Sequence, residues 1–366
     1  MTIRVWDYRD EYAAERAEIL DAVDTVFSSG RLILGESVKR FEHAFAAYCG
    51  AKHGVGVDNG TNAIFLALKA LGIGAGDEVI TVPNTAVPTV SAVVSTGATP
   101  RFVDIDPQTY LMDVSQVESV ITERTRCILP VHLYGQCADM DSLGSIASAH
   151  GLSIIEDCAQ SHGATYRGRR AGSMSDAAAF SFYPTKPLGG YGDGGMVLTS
   201  RDDVEQKLRR LRFYGMDDVY YAEEHGYNSR LDEVHAEILN RKLARLDEYL
   251  AARRRLAERY RRRLGGLQLA LPETAEGNEH AYYVYVVRAQ SRDELLDRMA
   301  ERDIHLNVSY PWPIHTMRGY AYLGYFEGDF PHAEAAAREI FSLPMYPRLS
   351  DEDQERVCSV LAELLT

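Results

Sequence analysis

The stretch "AAAFSFYPTKPLGGYGDGGMVLTS" (residues 177–200) sets one lysine among prolines and glycines between two short apolar segments. Two uses of such a loop compete. Gly190, Gly192 and Gly195 match G-x-G-x-x-G, the turn that brings a nucleotide pyrophosphate to a helix amino end. That motif must follow a strand and open a helix, with an acidic residue about 20 positions on. Here the triplet instead precedes a strand-like segment, GMVLTS (195–200). The ATPase pattern G-x-x-x-x-G-K-[ST] does not occur either. The loop therefore reads as the frame of Lys186, four residues beyond the strand-like AAAFSF (177–182).

Working outward, further segments with strand character are HGVGVD (53–58), EVITVP (78–83), TPRFVDID (99–106), CILPVHLY (127–134) and LSIIED (152–157). Helical spacing of apolar residues, at three and four, marks 61–72 and 139–151. Strand and helix in alternation predict an α/β fold with a mostly parallel sheet covered on both faces, and ligands outside the carboxyl ends of its strands. From Leu231 a single long helix is expected to run to Gly266 as a spine, and its basic run 253–263 reads as a solvated face. The alternating AYYVYVVRA (281–289), a helix from Arg292, the loop SYPWPIH (309–315) and a helix from Asp351 suggest a smaller α+β unit. The expected division is 1–240 for a large cofactor-binding domain and 241–366 for a small C-terminal one.

The chain of 366 residues is long enough for two such units, and 46% hydrophobic with 25% charged residues is ordinary for a globular protein. A net charge of −14 argues against nucleic acid as a partner, because phosphate contacts call for a basic surface. The five cysteines are widely spaced and form no zinc-like cluster, so no metal is expected and the thiols read as reduced and cytoplasmic. The charged amino-terminal stretch lacks an apolar leader, and no apolar run approaches the roughly 20 residues that span a bilayer, so no membrane partner is expected.

Asp157 ends the otherwise apolar LSIIED, followed by Gln160 and His162. Alone it reads as a helix cap. Together with Lys186 at a neighbouring strand end, it suits pyridoxal 5'-phosphate, whose ring nitrogen must be matched by an acid for the ring to draw electrons from a substrate carbon. The phosphate would need free helix amides and hydroxyls. Gly60, Thr61 and Asn62 follow a strand and open a helix, and Ser181 stands five residues before the lysine. An ordinary Asn/Gly turn with Thr61 as helix cap explains the first group equally well.

These residues resemble the DegT/DnrJ/EryC1/StrS sugar aminotransferases, of the fold-type I aspartate aminotransferase architecture. The likeness runs through SGRLILGESVKRFE (29–42), NGTNA (59–63), PVHLYGQ (130–136), EDCAQSHGA (156–164), SFYPTKPLGGYGDGG (181–195), GYNSRLDEVHA (226–236) and FSLPMYPRLS (341–350). The resemblance implies that Lys186 binds the cofactor aldehyde and later moves a proton. Asp157 would pair with the ring nitrogen and Gln160 with the 3-hydroxyl. Thr61, Ser181 and the Gly60–Asn62 amides would hold the phosphate, joined by Asn228 of a neighbouring subunit in a homodimer with shared sites. It also implies glutamate or glutamine as donor, pyridoxamine phosphate (PMP) as the intermediate cofactor form, and a nucleotide-linked, dTDP-type keto-6-deoxyhexose as acceptor, aminated at position 3 or 4.

Three positions depart from the family pattern. Ala86 stands where an aromatic residue often stacks on the cofactor ring, Ser309 replaces a histidine, and His235 replaces a glutamine. Tyr310 and His315 are candidate substrate contacts in the family, or packing residues at a domain seam; Tyr183 and Arg31 are further candidates, and His162 reads as structural. A dehydratase branch of the family carries histidine in place of the lysine, which Lys186 opposes. The resemblance also leaves room for a cyclitol aminotransferase of scyllo-inosose type and for a non-catalytic regulator.

Overall fold

The computed structural model describes residues 2–217 and 220–365. The chain opens with β1 (Ile3–Arg4), α1 (Tyr8–Ser29) and α2 (Glu36–Cys49), and then alternates. The alternating run is β2 (His53–Val57), α3 (Gly60–Ala70), β3 (Glu78–Thr81), α4 (Val87–Ser95), β4 (Thr99–Phe102), β5 (Thr125–Ile128), α5 (Met140–His150) and β6 (Ser153–Asp157). A small hairpin, β7 (Thr165–Tyr166) and β8 (Arg169–Arg170), leads to β9 (Ala177–Ser181), β10 (Gly195–Thr199), α6 (Asp202–Leu211), α7 (Glu233–Leu243) and α8 (Leu246–Leu264). The remainder is β11 (Asn278–Glu279), β12 (Tyr285–Arg288), α9 (Arg292–Ala300), β13 (Ile304–His305), α10 (Pro331–Glu339), β14 (Ile340–Leu343) and α11 (Asp351–Leu365).

The expected α/β architecture is present. Seven strands form one sheet in the order β2-β10-β9-β6-β5-β3-β4. All neighbours are parallel except β10, which runs against both β2 and β9. Period-two alternation builds three layers. Ile80, Ile128, Ile154 and Ala178 face one core with Phe41 and Phe45 of α2 and Leu143 of α5. Their neighbours Val79, Cys127, Ile155 and Ala179 face the other, with Leu66 of α3, Val93 of α4 and Leu208 of α6. Fully burying a phenylalanine such as Phe45 stabilises the fold by about 1.5–3 kcal/mol. All five cysteines are free and buried.

A third core joins Tyr260 and Leu264 of α8, Tyr285 and Val287 of β12, Leu295 of α9 and Leu361 of α11, and it also takes in Ile3. Ile3 arrives there because β1 pairs in parallel with β13. The single long helix expected from Leu231 is instead two, α7 and α8, broken at Ala244 and Arg245, where Arg245 leaves helical geometry at φ −108°, ψ 3°. Ala236 and Leu239 of α7 lie in the first core. Within α8, Leu246 and Leu250 join the first core while Leu256 and Tyr260 join the third. The strand expected over 281–289 is confined to β12, because Ala281 and Tyr283 donate to Gly135 and Tyr134 of the large-sheet loops instead of to a strand.

Because β10 runs antiparallel between them, β2 and β9 point the same way as β3, β5 and β6. The residues following five strands therefore meet at one end of the sheet.

Candidate active site

An open cavity of about 890 Å³ lies at that end, and its walls include Gly60, Thr61, Asn62, Asp157, Gln160, Ser181, Lys186 and Tyr310. Asp157 forms its floor. The backbone is clamped on both sides, its N–H donating to Pro130 and its carbonyl accepting from His132 N at 3.0 Å. The carboxylate accepts from Thr89 Oγ1 at 2.8 Å and from the Ala159 amide at 3.1 Å. Burial pushes its pKa up; Thr89, the Ala159 amide, Lys186 and His132 act in the opposite direction. Among the described residues it has no cation at ion-pair distance, so its charge stays available to a cationic ligand.

Lys186 reaches the cavity from the loop between β9 and β10. Its amide donates to the Tyr183 carbonyl at 2.9 Å, closing a tight turn, and Gly190 N donates to the Phe182 carbonyl at 2.8 Å, closing the loop around it. A Cβ on Gly189 would sit 2.4 Å from the Pro184 carbonyl oxygen, so only glycine lets the loop fold this closely. Lys186 Nζ lies 4.5 Å from the ring centroid of Tyr283. The Tyr283 hydroxyl meets Thr185 Oγ1 at 2.9 Å, which pins the ring in place. The amine, too, lacks a carboxylate partner among the described residues.

The amino end of α3 forms a third wall. Asn59, not Thr61, is the cap: its side chain accepts from Asn62 N at 2.8 Å, and Asn62 Nδ2 is turned to Asp58. The Asn62 amide is thereby spent, which leaves the Gly60 and Thr61 amides with the Thr61 and Ser181 hydroxyls as the anion-holding set. A Cβ on Gly60 would meet the Ser181 Cβ at 2.7 Å, so glycine is what allows the helix end to lie against β9. Gln160 is buried and held at both ends, accepting from Tyr134 N at 2.8 Å and donating to the Tyr310 hydroxyl at 2.8 Å. Its amide nitrogen retains a second proton for a ligand. A carboxylate without a cation, an uncommitted amine and free helix amides together fit the ring nitrogen, aldehyde and phosphate of pyridoxal phosphate.

Other expected residues lie elsewhere. His315 is outside this cavity, buried with Nε2 3.0 Å from Glu334 and its ring edge-on to Phe330, and it lines a separate cavity of about 460 Å³. Packing accounts for it: Glu334 also accepts from Gly328 N, tying the loop to α10. Asn228 is exposed and does not line its own chain's cavity. Arg31 lines another surface cavity beside Arg209 and Tyr220. Tyr183 stands on the rim, 53% exposed. His162 packs among Phe45, Phe180 and Phe182, and burial first, then the charge of Lys186, lowers its pKa to about 3. Ala86 lies in the cavity wall with Val87 and Pro88 beside it.

Sequence reasoning missed Thr85, Thr89 and Tyr283. The two threonines sit in PNTAVPTVSAV, where the signal available was a pair of hydroxyls four residues apart at a predicted strand end. Tyr283 carried no local signal. Behind the floor, His132, Glu156 and Cys158 cluster within 4.8 Å. Glu156 there accepts from His132 Nε2, Gly172 N, Met174 N and Ser175 Oγ, while His132 Nδ1 accepts from Ala138 N. These hydrogen bonds make the cluster a packing knot.

Comparison with known proteins agrees with this geometry. A family model described as the DegT/DnrJ/EryC1/StrS aminotransferase family matches residues 13–362. The chain is 57% identical to a dTDP-3-amino-3,4,6-trideoxy-alpha-D-glucose transaminase of Micromonospora megalomicea subsp. nigra, with 100% of both chains covered. Among solved structures, DesV of S. venezuelae in complex with a ketimine intermediate superposes with a TM-score of 0.98 at 44% identity, covering 100% of this chain and 98% of that one. NtdA from Bacillus subtilis with bound cofactor PMP gives a TM-score of 0.90 at 30% identity, covering 96% of this chain and 82% of that one.

Proposed function

The chain belongs to the DegT/DnrJ/EryC1/StrS aminotransferase family, and from that premise we propose that it aminates C-3 of a dTDP-linked 3-keto-6-deoxyhexose, with glutamate or glutamine as donor. The full-length identity to the Micromonospora transaminase supports C-3 over C-4 and a dTDP carrier. The observation that carries the reading is the convergence of Lys186 and Asp157, each without an ionic partner among the described residues, in one cavity beside a helix amino end.

Pyridoxal phosphate, when bound, supplies an aldehyde for amine exchange and a ring that withdraws electrons from the substrate carbon. Asp157 keeps the ring nitrogen protonated by offering it a buried negative charge. The Gly60 and Thr61 amides, with the Thr61 and Ser181 hydroxyls, hold the phosphate. Gln160 Nε2 donates its free proton to the 3-hydroxyl. Lys186 Nζ would accept the proton that leaves the amine-bearing carbon and hold it for redelivery, with the Tyr283 ring 4.5 Å away keeping the amine in place. Tyr310, fixed by Gln160, faces the acceptor sugar.

Asn228 serves the site of a second copy, which explains its exposure here and makes the active species a homodimer. Residues 1–240 act as the cofactor-binding domain and 241–366 as the small C-terminal domain, with β1 crossing to the latter. The free buried thiols suit a reducing cytoplasm.

The test is a panel of 3-keto and 4-keto dTDP-sugars incubated with the holoenzyme and glutamate, read by product mass. Gain of an amine on the 3-keto substrates is expected. Amination of the 4-keto series alone overturns the regiochemistry, and loss of water without gain of nitrogen overturns the transaminase assignment.

A further inference from the structure

Asp157 is not held by a cation or by another carboxylate, but by a chain of two hydroxyls. Thr89, on the first turn of α4, donates to Asp157 Oδ2 at 2.8 Å, and Thr85, one turn earlier in the loop leaving β3, lies 2.8 Å from Thr89 Oγ1. Both threonines are about 1% exposed, so no bulk water competes for them. The direction of the chain follows from proton counting. Each hydroxyl has one proton; Thr89 gives its own to the carboxylate, so the Thr85 hydroxyl must donate to Thr89. Successive hydroxyls donating the same way polarise one another, which strengthens the bond at the charged end. The relay would have to reverse if Asp157 took up a proton on Oδ2.

We propose that Thr85 and Thr89 form a positioning relay that keeps Asp157 ionised and fixes which of its oxygens faces the cofactor. The proposal rests on the cavity being a pyridoxal phosphate site. The Ala159 amide occupies Oδ1 from the side of the chain's own loop, and Thr89 occupies Oδ2 from α4. The two together define the carboxylate plane. Other charged or titratable groups facing Asp157 are Lys186 from the β9–β10 loop, His132 from the loop after β5, and Tyr310. None of their side chains is at hydrogen-bond distance from the carboxylate among the described residues. Thr89 is the side chain that touches the carboxylate directly, so removing its hydroxyl strips a buried anion of one of two donors.

The experiment uses holoenzyme carrying pyridoxal phosphate labelled with ¹⁵N in the ring, and follows the ring-nitrogen shift from pH 6 to 9 together with cofactor retention. Wild-type protein and Thr89→Ser are expected to hold the ring nitrogen protonated throughout. Thr89→Val is expected to lower the deprotonation midpoint by about one to two pH units, a ten- to hundredfold fall in the ratio of protonated to deprotonated ring, the worth of a hydrogen bond to a charged group. Thr85→Val, which leaves the Thr89 contact in place, should lower the same ratio by about threefold.

A folded Thr89→Val protein with the wild-type midpoint overturns the relay. If Thr89→Val does not fold, a wild-type midpoint in Thr85→Val overturns it instead. A Thr89→Ser protein that behaves like the valine variant shows that packing of the methyl, and not the hydroxyl, is what matters, and also overturns it. Wild-type protein that retains no labelled cofactor overturns the assignment of the cavity, and with it the relay, which distinguishes that failure from the others.

Discussion

Glu156 and Asp157 are consecutive carboxylates on β6, and the pleat sends them to opposite faces. Both are buried, yet their surroundings could hardly differ more. Behind the strand, Glu156 is gripped by one imidazole, two amides and a hydroxyl, and these donors, His132 foremost, hold its pKa below the usual carboxylate range despite burial. In front, Asp157 has two neutral donors, and burial prevails in raising its pKa. The first carboxylate has its charge solvated by four hydrogen-bond donors and serves the fold. The second keeps an uncompensated charge where a cationic ring can meet it, which costs stability and serves function.

Variants on the two faces should separate these roles. The largest effect is expected from Lys186→Ala, in front: amination falls by about 10⁴-fold, at the upper end of what a positioned acid–base group supplies, while the thermal midpoint barely moves. A variant that retains amination of a keto-sugar would remove the lysine from the chemistry.

Glu156→Ala, behind, should do the opposite, destabilising the fold by about 3–5 kcal/mol because His132, Gly172 and Met174 lose their acceptor. Denaturant unfolding measures this, and a loss under about 1 kcal/mol would mean the knot is not structural.

Asp157→Asn sharpens the contrast through pH. The folded pKa of Asp157 is raised, so its ionised form penalises the fold at neutral pH, and the penalty fades as pH drops through the folded pKa towards the unfolded value of 3.8. The apo form of Asp157→Asn should therefore be more stable than wild type at pH 7, with the advantage vanishing in acid, while activity falls by about 10²-fold or more. For Glu156 the sign reverses: its folded pKa is lowered, so its contribution is present above the unfolded 4.5 and lost as pH falls through the folded value. Urea midpoints across pH 3 to 7 for both variants check the pair, and parallel profiles would erase the distinction.

The smallest effect belongs to Cys158→Ala. Its thiol lies 3.9 Å from Glu156 Oε2 at the edge of the knot, so a loss of about 1 kcal/mol is expected, with no change in amination.

Much of this site was legible in advance. Lys186, Asp157, Gly60, Thr61, Gln160 and Ser181 were each placed at or just past the end of a predicted strand, and all of them line one cavity. The reason is local: a strand ending, a helix opening and a glycine-rich turn are written within a dozen residues. What escaped were groups whose importance depends on who arrives beside them. Thr89 reaches Asp157 across 68 positions and Thr185 meets Tyr283 across 98. His315, in a loop of prolines and aromatics, read equally as a substrate contact or as packing, and its bond to Glu334 sets it in another cavity. The expected long helix is broken at Ala244 and Arg245 although its apolar residues on both sides, Leu239 and Leu246, pack in the same core, so the break had no signal in the spacing.

By itself, then, the amino-acid order determined the alternation of strands and helices, the end of the sheet at which ligands bind, and the lysine and aspartate presented there. These follow from backbone preferences and short-range spacing. Tertiary structure alone decided that Glu156 is silenced and Asp157 left available, and that two threonines and a tyrosine complete the site. Those outcomes depend on strand order and register, which bring distant hydroxyls, amides and rings within 3–5 Å of a buried charge.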